Sequence, residues 1–131
     1  MNVLADTTAL IAAQRRGPEA QALLLEFDEL WICGVVRLEF LCGALNPRHM
    51  TALRARLDEL LLAPIEAREW KRAEEIFAAL ARMRGGRHRG VPLSDVLIAA
   101  AAEGRDLSVL HDDNHFELIA QVTGQRLMRL A

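Results

Sequence analysis

The sequence contains few of the residues on which several protein classes depend. Its 131 residues include no tyrosine, a single lysine and only two cysteines, Cys33 and Cys42. Two cysteines without a second pair or a histidine cluster exclude a zinc finger and predict two reduced thiols in the core. No apolar run approaches the ~18 residues of a membrane-spanning helix, and the amino-terminal segment lacks the charge order of a secretory signal. We therefore expect a cytoplasmic protein without a membrane partner.

The chain also lacks an excess of charge of either sign. Its formal net charge is -2 and its isoelectric point is about 6.1, which excludes nucleic-acid binding through a broad basic surface. Any such function must instead depend on a local site. The length and the 52% content of hydrophobic residues predict one domain, residues 1–131, with a substantial core.

Short apolar segments alternate with longer helical segments along the chain. The predicted strands cover residues 2–5, 31–36, 62–65, 107–110 and 126–131. The predicted helices cover residues 7–16, a segment from Pro18, 37–45, 48–61, 67–83, 95–104 and a segment after residue 111. Parallel neighbours in a sheet require helical crossovers. The pattern therefore predicts an α/β fold, a three-layer α/β/α sandwich with a short, mostly parallel sheet.

Two of these helices carry more detailed predictions. In the helix over residues 67–83, the spacing of apolar residues directs Trp70, Ile76, Phe77 and Leu80 inward. Ser94 is expected to cap the helix that opens at Asp95, because a serine hydroxyl accepts from the free amides of a first helical turn.

Four acidic residues fall at similar places in this pattern. Asp6 ends the first strand, Glu39 follows the second strand, and Asp95 and Asp113 lie before and after the fourth. Each alone has an ordinary structural explanation as a helix cap, a turn residue or a solvent-facing side chain. Together they would converge at the carboxyl edge of the sheet, where carboxylates among apolar residues repel one another unless a cation binds. Oxygen ligands suit Mg²⁺ or Mn²⁺, so the set predicts hydrolysis of phosphodiester bonds.

The segment over residues 83–94 is a loop rich in glycine and arginine. Its arginines, with those nearby, are Arg82, Arg84, Arg87 and Arg89. Guanidinium groups pair with phosphates, so this loop is a candidate nucleic-acid contact, and a solvated loop is the equal alternative. His111 and His115 could bind a metal or protonate a leaving group, and the alternative for both is an ordinary surface histidine.

Four segments resemble, in the same order, the motifs of PIN-domain ribonucleases, specifically VapC-type toxins of type II toxin–antitoxin systems. The segments are VLADTTALI, VVRLEFLCGA, VPLSDVLIAAAA and VLHDDNHFELIAQVTGQ. The resemblance covers nearly the whole chain and implies a metal-dependent endoribonuclease that hydrolyses single-stranded RNA. It also implies a cognate antitoxin, a homodimer, and partner-covered apolar surface around residues 35–62.

The resemblance further assigns roles to individual residues. It makes Asp6, Glu39, Asp95 and Asp113 the ligands of Mg²⁺ or Mn²⁺ and the catalytic centre. The family's last acid lies three residues before an aromatic residue, which here is Phe116, and this spacing selects Asp113 rather than Asp112. The resemblance adds Thr7 and His111 as residues expected to contact substrate, beside Arg87 and Arg89 of the arginine-rich loop. One departure is His115, which stands where many members carry another aspartate, and it is expected to weaken a second metal site or to change metal preference.

Other classes fit the sequence less well. Haloacid-dehalogenase-like phosphatases have a second acid two residues after the first, where this chain has Thr8. Receiver domains depend on a lysine at a late strand end, whereas Lys71 lies within a predicted helix. No glycine-rich phosphate loop follows the first strand. The remaining alternatives are a catalytically impaired PIN-fold binding module and a housekeeping RNA-processing nuclease.

Overall fold

The computed structural model describes residues 1–130, and its strands form one parallel sheet. The strands are β1 (Asn2–Ala5), β2 (Glu29–Cys33), β3 (Leu61–Ala63), β4 (Ser108–His111) and β5 (Leu127–Arg129). Their order in the sheet is β3-β2-β1-β4-β5, and every neighbouring pair is parallel. The helices are α1 (Thr7–Arg16), α2 (Pro18–Leu24), α3 (Gly34–Leu41), α4 (Pro47–Leu57), α5 (Ala67–Arg82), α6 (Leu93–Gly104) and α7 (His115–Thr123), with a short 3-10 helix at Arg87–Gly90.

The strand order places helices on both faces of the sheet. From β1 the chain moves outward through β2 to β3, and it then returns past β1 to β4 and β5. Because crossovers between parallel strands are right-handed, α1 to α4 cover one face and α5 to α7 cover the other. The contacts of α1 with α2 and α3, and of α5 with α6 and α7, agree with this arrangement. The predicted α/β sandwich is therefore confirmed.

The central strand β1 and its neighbour β4 are covered on both faces, which explains the apolar residues in the middle of each strand. Val3, Leu4 and Ala5 of β1 are fully buried, as is Val109 of β4. Strands at the centre of a parallel sheet are hydrophobic on both sides rather than alternating. The acids that follow β1 and β4 thus emerge from a buried part of the sheet.

Several predicted element ends differ from the structure, among them those of the helices predicted over 37–45 and 48–61, and residue 131 of the last predicted strand lies outside the described residues. Two further details of the prediction were wrong. The apolar run over residues 31–36 divides at Gly34, where β2 ends and α3 begins. Val36 is buried, but it lies on the helix. Buried positions in helices and in strands both require apolar residues, so an apolar run this short does not distinguish the two. Ser94 does not cap α6: the helix starts at Leu93, and the Pro92 carbonyl accepts the Asp95 amide at 3.1 Å.

Helix α5 is the longest helix and differs from its prediction at one position. Its buried stripe consists of Glu69, Ala73, Ile76 and Leu80, and Trp70 is exposed. The Glu69 carboxylate accepts from the Glu66 amide in a capping box, which holds Glu69 in the buried stripe of the helix. Trp70, the next residue, therefore lies outside this stripe. Within residues 1–130 no helix combines the length and the apolar character that a bilayer crossing requires.

The two cysteines are both free, but they occupy different surroundings. Cys33 is buried at the end of β2, and Cys42 is exposed at the end of α3. The prediction of a core thiol is therefore confirmed for Cys33 and wrong for Cys42.

Candidate metal centre

Three of the predicted acids meet where β1 and β4 end. Asp6 directly follows β1, Asp113 follows β4, and the Asp6 amide donates to the Leu110 carbonyl at 2.9 Å. This backbone hydrogen bond joins the two loops side by side. Asp95 reaches the same place from the first turn of α6.

Asp6 is the most deeply buried of these acids, with 1% of its surface exposed. It caps α1: its Oδ1 accepts from the Ala9 amide at 2.8 Å. Burial raises the pKa of Asp6 to about 7, and the nearby Asp113 and Asp95 carboxylates add to the rise against the opposing hydrogen bonds. A carboxylate held in these surroundings gains from a cation that replaces its lost hydration.

Thr8 connects the acids of the first and last motifs, a role that we did not predict. Its hydroxyl lies 2.7 and 2.8 Å from the two Asp6 carboxylate oxygens and 3.4 Å from Asp113 Oδ2. The same oxygen accepts from the Asp112 amide at 3.1 Å. A threonine two residues after a helix-capping aspartate was the only signal of this contact in the sequence.

Asp95 has a carboxylate oxygen without a hydrogen bond. Among residues 1–130, its buried Oδ2 atom finds no hydrogen-bond partner. His115 Nδ1 lies 3.1 Å from this oxygen, as in an ion pair, but the alignment is not that of a hydrogen bond. Burial raises the pKa of Asp95 to about 6, with a further rise from Asp113 that His115 partly offsets.

Asp113 and His115 complete a compact group with Asp95. Asp113 Oδ1 accepts from the His115 amide at 2.8 Å and lies 3.6 Å from its Nδ1 atom. One donor atom of each of the three residues lies within 4.8 Å of the other two. The group thus offers two carboxylates and an imidazole, and one carboxylate has a buried oxygen without a hydrogen bond. This donor set fits a divalent cation.

Glu39 lies at the margin of this centre. Its side chain is exposed on α3, and its Oε1 atom accepts from the Thr7 hydroxyl at 2.7 Å. Thr7, predicted to contact substrate, is thus engaged with an acid. Neither Glu39 nor Asp6 belongs to the compact group of donors found in the described chain.

The predicted substrate residues fall into two classes. Arg87 and Arg89 are exposed on the 3-10 helix that precedes α6, and the structure of residues 1–130 gives neither of them an ion-pair partner. His111 is only 2% exposed on β4, its ring packs near Phe116, and its Nδ1 atom lies 2.6 Å from the Asp113 carbonyl oxygen. The ring is therefore buried and contacts the loop that carries Asp113, and the substrate contact of His111 stays a prediction.

Arg129 holds the same loop from β5. Its Nη2 atom donates to the Asp113 carbonyl at 3.2 Å and to Asn114 Oδ1 at 2.7 Å. We expect Arg129→Ala to lower the rate of RNA cleavage about tenfold, because groups that orient metal ligands typically contribute that much. In the same variant, hydrogen exchange at the His115 amide should accelerate, since its acceptor is the Asp113 carboxylate.

The matched control is Arg126→Ala. Within residues 1–130, the Arg126 side chain pairs only with the exposed Asp106, at 3.3 Å from its carboxylate and 3.0 Å from its carbonyl. An equal loss of cleavage rate in both variants would show a general effect on stability instead of a role for Arg129.

Sequence and structure comparisons place the chain in a known family. A family model described as PIN domain matches residues 3–122. Ribonuclease VapC18 of Mycobacterium tuberculosis is 39% identical over 101 residues, which are 77% of this chain and 74% of that protein. Ribonuclease VapC2 of the same species is 42% identical over 105 residues, covering 76% of this chain and 70% of its relative.

Solved structures share the fold at lower identity. The DNA-bound VapBC complex of Salmonella typhimurium contains a chain that aligns with a TM-score of 0.78 at 22% identity, covering 100% of this chain and 99% of that chain. VapC20 of Mycobacterium tuberculosis, a toxin that cleaves the sarcin-ricin loop, aligns with a TM-score of 0.66 at 15% identity, covering 95% and 96%. With the family model and the ribonuclease relatives, these alignments establish that the chain belongs to the PIN domain family and, within it, to the VapC ribonucleases.

Proposed function

We propose that this chain is a metal-dependent endoribonuclease of the VapC toxin type, which hydrolyses phosphodiester bonds of single-stranded RNA. The observation that carries the proposal is the orphaned, buried Oδ2 atom of Asp95 beside Asp113. An unpaired buried carboxylate oxygen costs free energy in an apolar site unless a cation binds there. The relatives that are named ribonucleases supply the reaction class.

Four carboxylates would hold Mg²⁺ or Mn²⁺: Asp6, Glu39, Asp95 and Asp113. A bound divalent cation supplies neutralisation of phosphate charge and a more acidic water. Thr8 keeps Asp6 turned toward Asp113, and Thr7 fixes the orientation of Glu39. Rigid positioning of this kind contributes to catalysis, because the acids do not have to reorganise during the reaction.

The exposed guanidinium groups of Arg87 and Arg89 would bind the RNA backbone. They lie on the 3-10 helix just before α6, the helix that carries Asp95. Arginine pairs with phosphate through two parallel hydrogen bonds, which orients a strand without reading its sequence. Because the net charge of the protein is -2, RNA binding would depend on this local positive charge and not on the charge of the whole surface.

A cognate antitoxin and a second copy of the chain are the proposed protein partners. Four leucines within residues 35–62 are exposed, namely Leu38, Leu45, Leu61 and Leu62. Exposed apolar side chains at this density are typical of surfaces that a partner covers. The DNA-bound VapBC complex of Salmonella typhimurium supports an antitoxin partner. We place the complex in the cytoplasm, where the free thiols of Cys33 and Cys42 would stay reduced.

The test is cleavage of a mixed-sequence single-stranded RNA by purified, antitoxin-free protein. We expect cleavage with Mg²⁺ or Mn²⁺, none with EDTA, restored cleavage when metal is returned, and inhibition by the antitoxin. The Asp6→Asn variant should remain inactive under every condition. Single-stranded DNA of the same sequence serves as the substrate control.

Other results would favour the alternatives. Cleavage in EDTA would contradict the metal-dependent mechanism. Folded protein that binds RNA without cutting it would favour a catalytically impaired binding module. Cleavage that no antitoxin inhibits would favour a housekeeping RNA-processing nuclease.

A further inference from the structure

His115 has the position of a metal ligand, although it is not one of the four acids of the proposed metal centre. It is the first residue of α7, and its Nδ1 atom faces two of the proposed metal ligands. Nδ1 lies 3.1 Å from Asp95 Oδ2 and 3.6 Å from Asp113 Oδ1. The imidazole therefore lies inside the compact group, not at its margin.

These separations are the ones that donors on a shared ion require. Nitrogen and oxygen ligands lie about 2.1 Å from a small divalent cation. Two such donors at octahedral or tetrahedral angles are therefore about 3.0–3.4 Å apart. The distance from Nδ1 to Asp95 Oδ2 falls within this interval, and the distance to Asp113 Oδ1 is only slightly longer.

The hydrogen bonds around Asp95 supply independent support. Asp95 is 8% exposed, and its Oδ2 atom, the one nearest His115, is buried without a hydrogen-bond partner in the described chain. The His115 ring is close enough to donate but does not align to do so. An oxygen and a nitrogen at this distance, with no aligned hydrogen bond between them, fit two donors to a third atom.

We propose that His115 binds the metal through Nδ1, together with Asp95 and Asp113, and that this nitrogen donor makes the centre select a first-row transition-metal dication over Mg²⁺. The inference rests on the proposed metal-dependent function. Mg²⁺ prefers an all-oxygen environment, whereas imidazole raises the affinity of later transition metals. An aspartate at residue 115 would supply only oxygen and would remove this preference.

The test is metal binding by metal-free protein, measured by calorimetry with Co²⁺ and with Mg²⁺ in the absence of RNA. In His115→Asn we expect the Co²⁺ affinity to fall at least about tenfold while the Mg²⁺ affinity changes much less. In His115→Asp the ratio of Co²⁺ to Mg²⁺ affinity should also fall, because Mg²⁺ binding strengthens. The visible absorption of bound Co²⁺ reports directly on its ligands and should change in both variants.

The control is His49→Asn, the same substitution on α4, where the imidazole accepts from the Leu45 amide. It should leave both affinities unchanged. If His115→Asn keeps the wild-type ratio of affinities, His115 is only an ion-pair partner of the two acids, and the inference is overturned. If the wild-type protein binds neither cation, the proposed metal centre fails as well, so the two failures are distinguishable.

Discussion

Asp113→Asn should lower the rate of RNA cleavage at least about 100-fold, whereas Asp112→Asn should change it by no more than about fivefold. Loss of one ligand removes several kcal/mol of charge stabilisation in the transition state, and each 1.4 kcal/mol corresponds to tenfold in rate. The two neighbouring substitutions change charge identically. Only Asp113 faces the Thr8 hydroxyl and belongs to the donor group with Asp95.

Asp112 is a suitable control because its carboxylate lies outside the donor group of Asp95, Asp113 and His115. It pairs with Arg16 at 3.3 Å and, more loosely, with Arg129 at 4.0 Å, in partly exposed ion pairs. Such pairs contribute about 0–1 kcal/mol to stability. The measurement is the initial rate of cleavage of a fluorescent RNA with Mn²⁺, alongside thermal unfolding of both variants. Equal losses of rate in the two variants, or an unfolded Asp113→Asn, would contradict the assignment of Asp113 as a ligand.

The second large effect concerns the stability of the metal-free protein as a function of pH. Burial raises the pKa of Asp6 to about 7, whereas the unfolded chain releases this proton near the ordinary value of 3.8. The folded chain therefore binds more protons than the unfolded chain between these values. It follows that the free energy of unfolding falls as pH rises from about 4 to about 7.

Asp6→Asn should remove much of this dependence. Asparagine caps a helix as well as aspartate does and carries no charge to bury. At pH 8 we expect the variant to be more stable than the wild-type protein by about 4 kcal/mol, because the pKa of Asp6 is raised by about three units and each unit corresponds to about 1.4 kcal/mol. Part of the slope should remain, since the pKa of Asp95 is also raised, to about 6.

Chemical denaturation in EDTA at several pH values measures this effect. Asp6→Ala is the informative comparison, because it removes the charge and the acceptor of the Ala9 amide together, and it should gain less stability than Asp6→Asn. Parallel curves of stability against pH for the wild-type protein and Asp6→Asn would exclude Asp6 as the source of the slope.

The order of the elements and the edge at which the acids meet could be predicted from the sequence. Apolar segments such as residues 2–5 are short and end on acids, and a parallel sheet brings its strand ends to one edge. The order of the elements follows from the periodicity of apolar residues, and the shared edge follows from the topology that this order predicts. They locate the loops that carry Asp6 and Asp113 without describing any side-chain contact.

The finer arrangement of the centre could not be predicted in this way. The contact of Thr8 with Asp113 spans 105 residues of sequence and depends on the rotamers of both side chains. His111 and His115 are four residues apart, yet the first is buried in the sheet and the second lies among the acids. Such differences depend on which way each side chain points, and tertiary packing decides this.

The bridge between Thr8 and Asp113 also sets an order of events during synthesis. A ribosome that adds about 5–20 residues per second needs roughly 5–20 seconds to cover the 105 residues between them. Throughout that interval the growing chain contains Asp6 and Thr8 but not the residue that completes the pocket. Because Asp113 is one of the proposed metal ligands, the growing chain would lack a complete metal centre until nearly all of its residues have been added.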